Sequence, residues 1–169
     1  NINNKDFENA EKICNRIKDL KNDHIALNLL GLTQVNQGKY NLAEKNFIKS
    51  SKINKIFESP IRNLFLIYLK QKNSIKMNFY ANKLINLDNK NSDYNYFLGL
   101  ALEFNHSYDD AIKFYKKSIE LNYKEKQNAF NNIGNILLRN KRRKESIKYF
   151  KQAHELDKEN HHIIFNLLA

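Results

Sequence analysis

The sequence predicts an all-α protein built from antiparallel helix pairs, and three observations support this fold class. A helix–turn–helix pattern over residues 92–123 returns 34 residues earlier and 35 residues later. Apolar residues recur at intervals of three and four, the period of an amphipathic helix. One proline and four glycines leave little of the turn chemistry that β-hairpins need. A period of this length indicates a solenoid, in which each helix pair buries its apolar face against its neighbours.

The length of 169 residues fits one domain or one continuous array of repeats. No apolar run approaches the ~18 residues that a membrane span needs, so a membrane-spanning helix is not expected. The single cysteine, Cys14, excludes an intrachain disulfide and fits a reducing compartment, so we expect an intracellular, cytoplasmic protein. Because the sequence begins at Asn1 rather than Met, we expect an excerpt of a longer chain, and an upstream signal or anchor stays open.

The repeats follow one another without a linker. Residues 1–23 carry one apolar stripe and are predicted to form the second helix of a partial repeat. Complete repeats are predicted over four ranges, and a final segment begins a further repeat: 24–57, 58–91, 92–126 and 127–160, then 161–169.

Helix starts and close contacts can be predicted within these repeats. Ser59 before Pro60, Ser74, and Ser107 with Asp110 in capping-box spacing are the predicted helix caps.

A glycine in mid-helix needs a physical reason, since it costs about 1 kcal/mol relative to alanine. For Gly31 we expect close approach of the Phe47 ring. In residues 58–91, Phe65, Met77 and Ala81 replace the glycine, the alanine and the aromatic, which predicts a swap that conserves volume.

The residues that repeat resemble those of the tetratricopeptide repeat family. Small residues in the first helix, small residues early in the second, and an aromatic one turn later occupy the family's positions: Gly31, Gly99, Gly134; Ala43, Ala111, Ser146; Phe47, Tyr115, Phe150. The resemblance implies a right-handed α–α superhelix whose first helices line a concave groove that takes a peptide or protein segment.

A second stripe of the first helices lies about a third of a turn from the packing stripe. Its members are Asn28, Leu32, Val35; Arg62, Leu66, Leu69; Tyr96, Leu100, Glu103; Asn131, Asn135, Leu138. The resemblance places this stripe in the groove, and its leucines either pack helix on helix or face a ligand. Its polar members are expected to avoid packing and to contact ligand.

Two known groove types provide further expectations. Arg62 is the only basic residue of the stripe, so a clamp for a C-terminal carboxylate is not expected. The asparagine ladder of O-linked N-acetylglucosamine transferases has counterparts in Asn63, Asn132 and Asn166, whereas Leu29 and Phe97 interrupt it. The predicted peptide-binding residues are Asn28, Arg62, Asn63, Tyr96, Asn131, Asn132 and Asn135.

Motifs of catalysis and of cofactor or metal binding are missing from the sequence. Adjacent helical residues point about 100° apart, so His161 and His162 are not expected to chelate one metal ion. The net charge of +11 includes a basic run from Lys141 to Lys144, interpreted as a solvated turn or as a contact for phosphate or an acidic protein. Nucleic-acid binding is not expected beyond weak, non-selective association.

These features predict a non-catalytic scaffold that binds a protein or peptide. The alternative is an accessory repeat region of a larger enzyme of the glycosyltransferase or sulfotransferase type. The last segment is strongly apolar, which predicts that it frays or self-associates with another copy of the chain.

Overall fold

A computed structural model of the chain describes residues 22–168, together with Asn9 and Lys12. This part of the chain forms α-helices and no strand, which confirms the all-α fold class. The helices are α1 (His24–Asn36), α2 (Tyr40–Ile53), α3 (Glu58–Lys70), α4 (Ser74–Leu87), α5 (Ser92–Phe104), α6 (Tyr108–Glu120), α7 (Lys126–Arg139), α8 (Arg143–Leu156) and α9 (His161–Leu168). The helix predicted within residues 1–23, with Cys14, lies outside the described residues.

The chain divides into two compact units, an N-terminal unit (Asn1–Leu87) and a C-terminal unit (Asp88–Ala169). In the N-terminal unit α1 pairs with α2 and α3 with α4, and α2 packs against α3. In the C-terminal unit α5 pairs with α6 and α7 with α8, while α6 packs on α7 and α8 on α9. Helix α7 begins at Lys126, one residue before the start predicted for its repeat at 127, and the bounds of the repeats stay predictions. A single solenoid domain stays a prediction.

Glycines of the first helices lie directly against aromatic rings of the second helices. A Cβ atom added to Gly31 would lie 2.5 Å from the ring of Phe47. The same distance separates a Cβ on Gly134 from Phe150. These distances are shorter than any ordinary carbon contact, so only glycine allows the two helices to approach this closely. The sequence-based reason for a glycine in mid-helix is confirmed.

The repeat over residues 58–91 fills the same space with different residues. Phe65 occupies the glycine position, and Met77 and Ala81 occupy the alanine and aromatic positions. All three side chains are fully buried, so the bulk has moved from the second helix to the first. This burial agrees with the predicted exchange of side chains, which conserves the volume between the two helices.

The turn inside each helix pair has one recurring backbone geometry. Gly38, Lys72, His106 and Lys141 occupy equivalent positions, and each has a positive φ of between 55° and 77°. The next residue donates its backbone N–H to a carbonyl five residues earlier, as Arg142 does to Leu137 at 2.9 Å. This hydrogen bond ends the first helix in a Schellman motif, and three of the four turns make it without glycine.

Two of the predicted caps are wrong, and a third is only partly right. Helix α3 begins at Glu58, so Ser59 lies inside the helix. Ser74 is the first residue of α4, and the side chain of Asn73 caps the helix by accepting the N–H of Lys76 at 3.1 Å. Ser107 is the N-cap of α6 but makes no side-chain cap bond, because its ψ of 66° departs from the extended backbone of a usual N-cap.

Helices α1 and α5 begin at caps that the sequence did not single out. Asp23 accepts the backbone N–H groups of Ile25 and Ala26, and Asn91 caps α5 in the same way. Among the described residues, no helix has both the length and the apolar character needed to cross a membrane.

Candidate functional site

The first helices of the N-terminal unit border an open cavity of about 290 Å³. Its wall is mostly apolar and consists of Leu32, Val35, Tyr40, Phe47, Asn63, Leu66, Ile67 and Lys70. Phe47 is fully buried, whereas Leu32 and Leu66 remain 38% and 44% exposed. The second stripe that the sequence identified therefore leaves aliphatic surface uncovered here, next to a closed apolar base.

Lys70 places a positive charge at the wall of this cavity. Its ammonium group donates a hydrogen bond to the Tyr40 hydroxyl and lies 4.5 Å from the centroid of the Tyr40 ring. Aromatic faces attract cations, so Tyr40 holds the ammonium group by two contacts. Within residues 22–168, no carboxylate pairs with Lys70.

Asn63 provides an amide group in the cavity wall. Its side-chain Nδ2 donates to Oδ1 of Asn28 at 3.1 Å, and Asn28 is buried to 6% exposure. Arg62 is half-buried on α3 but does not line the cavity. Of the three residues predicted in this unit, only Asn63 lies at the cavity, and ligand contact by each of them stays a prediction.

The equivalent face of the C-terminal unit is more polar, and Tyr96 is packed into it. The ring of Tyr96 stacks on that of Tyr123 with centroids 4.4 Å apart. Asn132 Nδ2 donates to the hydroxyls of Tyr96 at 3.2 Å and Tyr115 at 3.3 Å. Burial raises the pKa of Tyr96 to about 12. The expectation that Tyr96 avoids packing is therefore wrong, because its ring stacks on Tyr123 of the same repeat and its hydroxyl accepts from Asn132 of the next.

The ladder asparagines join successive first helices. Asn166 Nδ2 donates to Oδ1 of Asn131 at 2.9 Å, which repeats the contact between Asn63 and Asn28. Asn135 is half-buried on α7. These amides hold first helices together within each unit, and their predicted role toward a ligand is untested.

A half-buried carboxylate lies on the first helix α5 of the C-terminal unit. Glu103 accepts the Tyr115 hydroxyl at 2.8 Å and pairs with Arg139 at 3.3 Å. Burial raises the pKa of Glu103, although the hydrogen bond from Tyr115 and the charge of Arg139 oppose the rise. The carboxylate of Glu103 therefore has both of its partners, Tyr115 and Arg139, within the C-terminal unit.

Sequence reasoning missed Lys70 and Arg139. Each lies one turn after a stripe residue, four positions beyond Leu66 and Asn135 respectively. Extending the stripe by four rather than three residues would have found both. Lys70 and Arg139 are therefore basic residues of the first helices in addition to Arg62.

Two other predicted surfaces can be placed. The basic run from Lys141 spans the last turn residues and the start of α8, and Arg142 makes a bidentate pair with Glu145 at 2.7 Å. On α9, Ile163 is buried while Phe165 and Leu168 are 71% and 80% exposed. Self-association through α9 stays a prediction.

Chemical groups for metal binding are not assembled in the described part of the chain. No three His, Cys, Asp or Glu side chains there lie close enough together to hold a metal ion. The described faces offer hydrogen-bonding amides, an ammonium group and apolar surface, which suit binding of another molecule.

Comparisons with known proteins agree with this architecture. Models of the tetratricopeptide repeat match residues 25–57, 92–125 and 127–160. Comparison with curated protein sequences gives no match.

Solved structures share the fold. A MamA crystal structure has a TM-score of 0.82 at 24% identity over 92% of this chain and 91% of its own. MamA from Desulfovibrio magneticus RS-1 has a TM-score of 0.75 at 20% identity, over 94% and 97%. YrrB, described as a TPR protein with an unusual peptide-binding site, has a TM-score of 0.76 at 18% identity, over 94% and 81%.

Proposed function

The chain belongs to the tetratricopeptide repeat family, and from this premise we propose that it is a non-catalytic module that binds a peptide or protein segment. The binding face consists of the first helices, and its centre in the N-terminal unit is the cavity between Leu32 and Leu66. YrrB, a protein of the same fold, has a peptide-binding site, which supports this kind of function.

The observation that carries the proposal is the uncovered aliphatic surface at the cavity. Leu32 and Leu66 lie on facing first helices and neither is covered by the described residues of its unit. Burying such surface stabilises a complex by about 25 cal/mol per Å². A cavity with an apolar base and few polar groups suits a side chain of a bound segment.

A role as accessory region of a larger enzyme is compatible with the same binding face, and no contact in the structure favours it. The cytoplasmic location likewise stays a prediction.

Peptide-display selection on the purified chain tests the proposal. Enriched peptides should bind the wild type and lose at least about tenfold in affinity with Leu66→Glu, which places a charge in the cavity. Ile75→Glu is the matched control, because Ile75 is 80% exposed on α4 and lies outside the cavity. Leu32→Glu is the second variant, and circular dichroism verifies that each variant folds. Failure to enrich any peptide, or equal binding by all variants, overturns the proposal.

A further inference from the structure

We propose that the bound segment carries an apolar side chain next to acidic residues. The apolar side chain enters the cavity between Leu32 and Leu66, and a neighbouring carboxylate pairs with the ammonium group of Lys70. This inference rests on the proposed function and names the chemistry of its partner.

The cavity provides the apolar half of this recognition. Val35, Leu66 and Ile67 contribute aliphatic wall, and the ring of Phe47 closes the base. Asn63 is the one neutral amide in the wall, and its Nδ2 is already engaged by Asn28. An apolar side chain therefore meets few polar groups that it would leave unpaired.

Lys70 provides the group that recognises the acidic residues of the bound segment. An ammonium group can donate three hydrogen bonds, and Lys70 makes one to Tyr40. The remaining donors are not used by any carboxylate within residues 22–168. Charge-assisted hydrogen bonds to a carboxylate are stronger than neutral ones, so an acidic residue is the favoured neighbour.

The equivalent position of the C-terminal unit shows what Lys70 lacks. Arg139 stands two repeats after Lys70, and it is paired with the half-buried carboxylate of Glu103. In the N-terminal unit the residue two repeats before Glu103 is Val35, which is apolar and lines the cavity. The basic residue at this position is thus paired with a carboxylate in the C-terminal unit, whereas Lys70 in the N-terminal unit keeps its positive charge without one.

The charge around the cavity has the same sign. Residues 22–87 contain ten lysines and arginines but only three acidic residues, Asp23, Glu44 and Glu58. Glu44 is bound by Tyr68 at 2.6 Å and Lys76 at 3.3 Å, and Asp23 caps α1. Residues 88–168 are closer to balance, with fourteen basic against eleven acidic residues. A basic field of this kind increases the rate at which an acidic segment associates.

A nucleic acid would also meet this positive charge, but the apolar cavity favours a peptide. Phosphate contacts need several basic groups along a surface, and Lys70 is the only basic residue among the described residues that line the cavity. Nucleic-acid binding is therefore an outcome of the test.

The experiment compares three display libraries. Two of them share a random apolar centre, and the third has a polar centre in its place. One has Asp and Glu in the flanks, one has Asn and Gln in the same places, and one keeps the acidic flanks but excludes apolar residues. We expect the first library to be enriched at least about tenfold over both others on the wild-type chain. Equal enrichment of the neutral library overturns this inference and leaves the proposed function intact. Failure of all three libraries overturns both.

Charge variants then test Lys70 directly. Peptides from the acidic library should bind Lys70→Glu at least about tenfold more weakly, with a smaller salt dependence of the dissociation constant. Lys45→Glu is the matched control, because Lys45 is exposed on α2 and does not line the cavity. Equal loss in both variants, or displacement of the peptide by a micromolar single-stranded oligonucleotide at physiological salt, overturns the inference.

Discussion

Asn63 Nδ2 donates a 3.1 Å hydrogen bond to Oδ1 of Asn28, 35 residues earlier, and so joins α3 to α1. Asn166 and Asn131 make the same contact between α9 and α7. The recurrence within both units indicates that the asparagines are part of the packing of successive repeats, whatever they contribute to a ligand.

The Asn28–Asn63 bond should be measurable as a coupling energy. Asn63→Ala leaves the buried oxygen of Asn28 without its donor, which costs about 1–3 kcal/mol in the free energy of unfolding. Asn28→Ala/Asn63→Ala should cost less than the sum of the single changes, as measured by urea unfolding in a double-mutant cycle. Additive losses would contradict a direct interaction.

Steric contact between Gly134 and Phe150 gives a second prediction. Gly134→Ala should lower the free energy of unfolding by about 1–3 kcal/mol, although alanine favours a helix. The reason is the 2.5 Å approach of the added Cβ to the Phe150 ring. Gly134→Ala/Phe150→Leu should lose less than the two single changes together. An unchanged urea midpoint in Gly134→Ala would show that the repeat register is wrong.

The positive φ of Lys72 gives a third prediction. Lys72→Gly should raise the free energy of unfolding by up to about 1 kcal/mol, because glycine adopts a φ of 55° without a Cβ clash. Lys49→Gly, in the exposed interior of α2, is the control and should lose about 1 kcal/mol. Thermal or urea unfolding measures both. Equal losses in the two variants would be incompatible with a left-handed turn residue at Lys72.

Glu103 gives a pH-dependent prediction. Burial raises its pKa in the folded protein, so the folded state binds this proton more tightly than the unfolded chain does. The contribution of Glu103 to the free energy of unfolding therefore falls as pH rises from its ordinary pKa, 4.5, through the raised value. Glu103→Gln lacks this titration, so wild type should lose stability relative to the variant as pH rises above 4.5. A difference in stability that is constant with pH would contradict a raised pKa of Glu103 in the folded protein.

Much of the fold could be predicted from the sequence, since the repeat period and the small-to-aromatic contacts recur at fixed spacing. The contact between Gly31 and Phe47 could be predicted because glycine has no side chain and so leaves room for the Phe47 ring. The left-handed turns at Lys72 and Lys141 could not be predicted, because lysine has no preference for positive φ and the hydrogen bonds of the whole turn impose it.

The candidate site was predicted only in part. A stripe drawn on one helix treats every outward position alike, so it could not show that Tyr96 packs on Tyr123 of the same unit. The stripe also ended at Leu69, one residue before Lys70. Which leucines stay uncovered depends on the neighbouring helix, and the structure leaves Leu66 open.

The most direct test of the binding face is an NMR titration of the chain with a display-selected peptide. Backbone amide shifts should change most at the cavity residues Leu32, Val35, Leu66 and Lys70. Shift changes confined to the exposed apolar residues of the second helices, Leu42, Ile75 and Phe79, or to the C-terminal unit, would contradict a binding site on the first helices of the N-terminal unit.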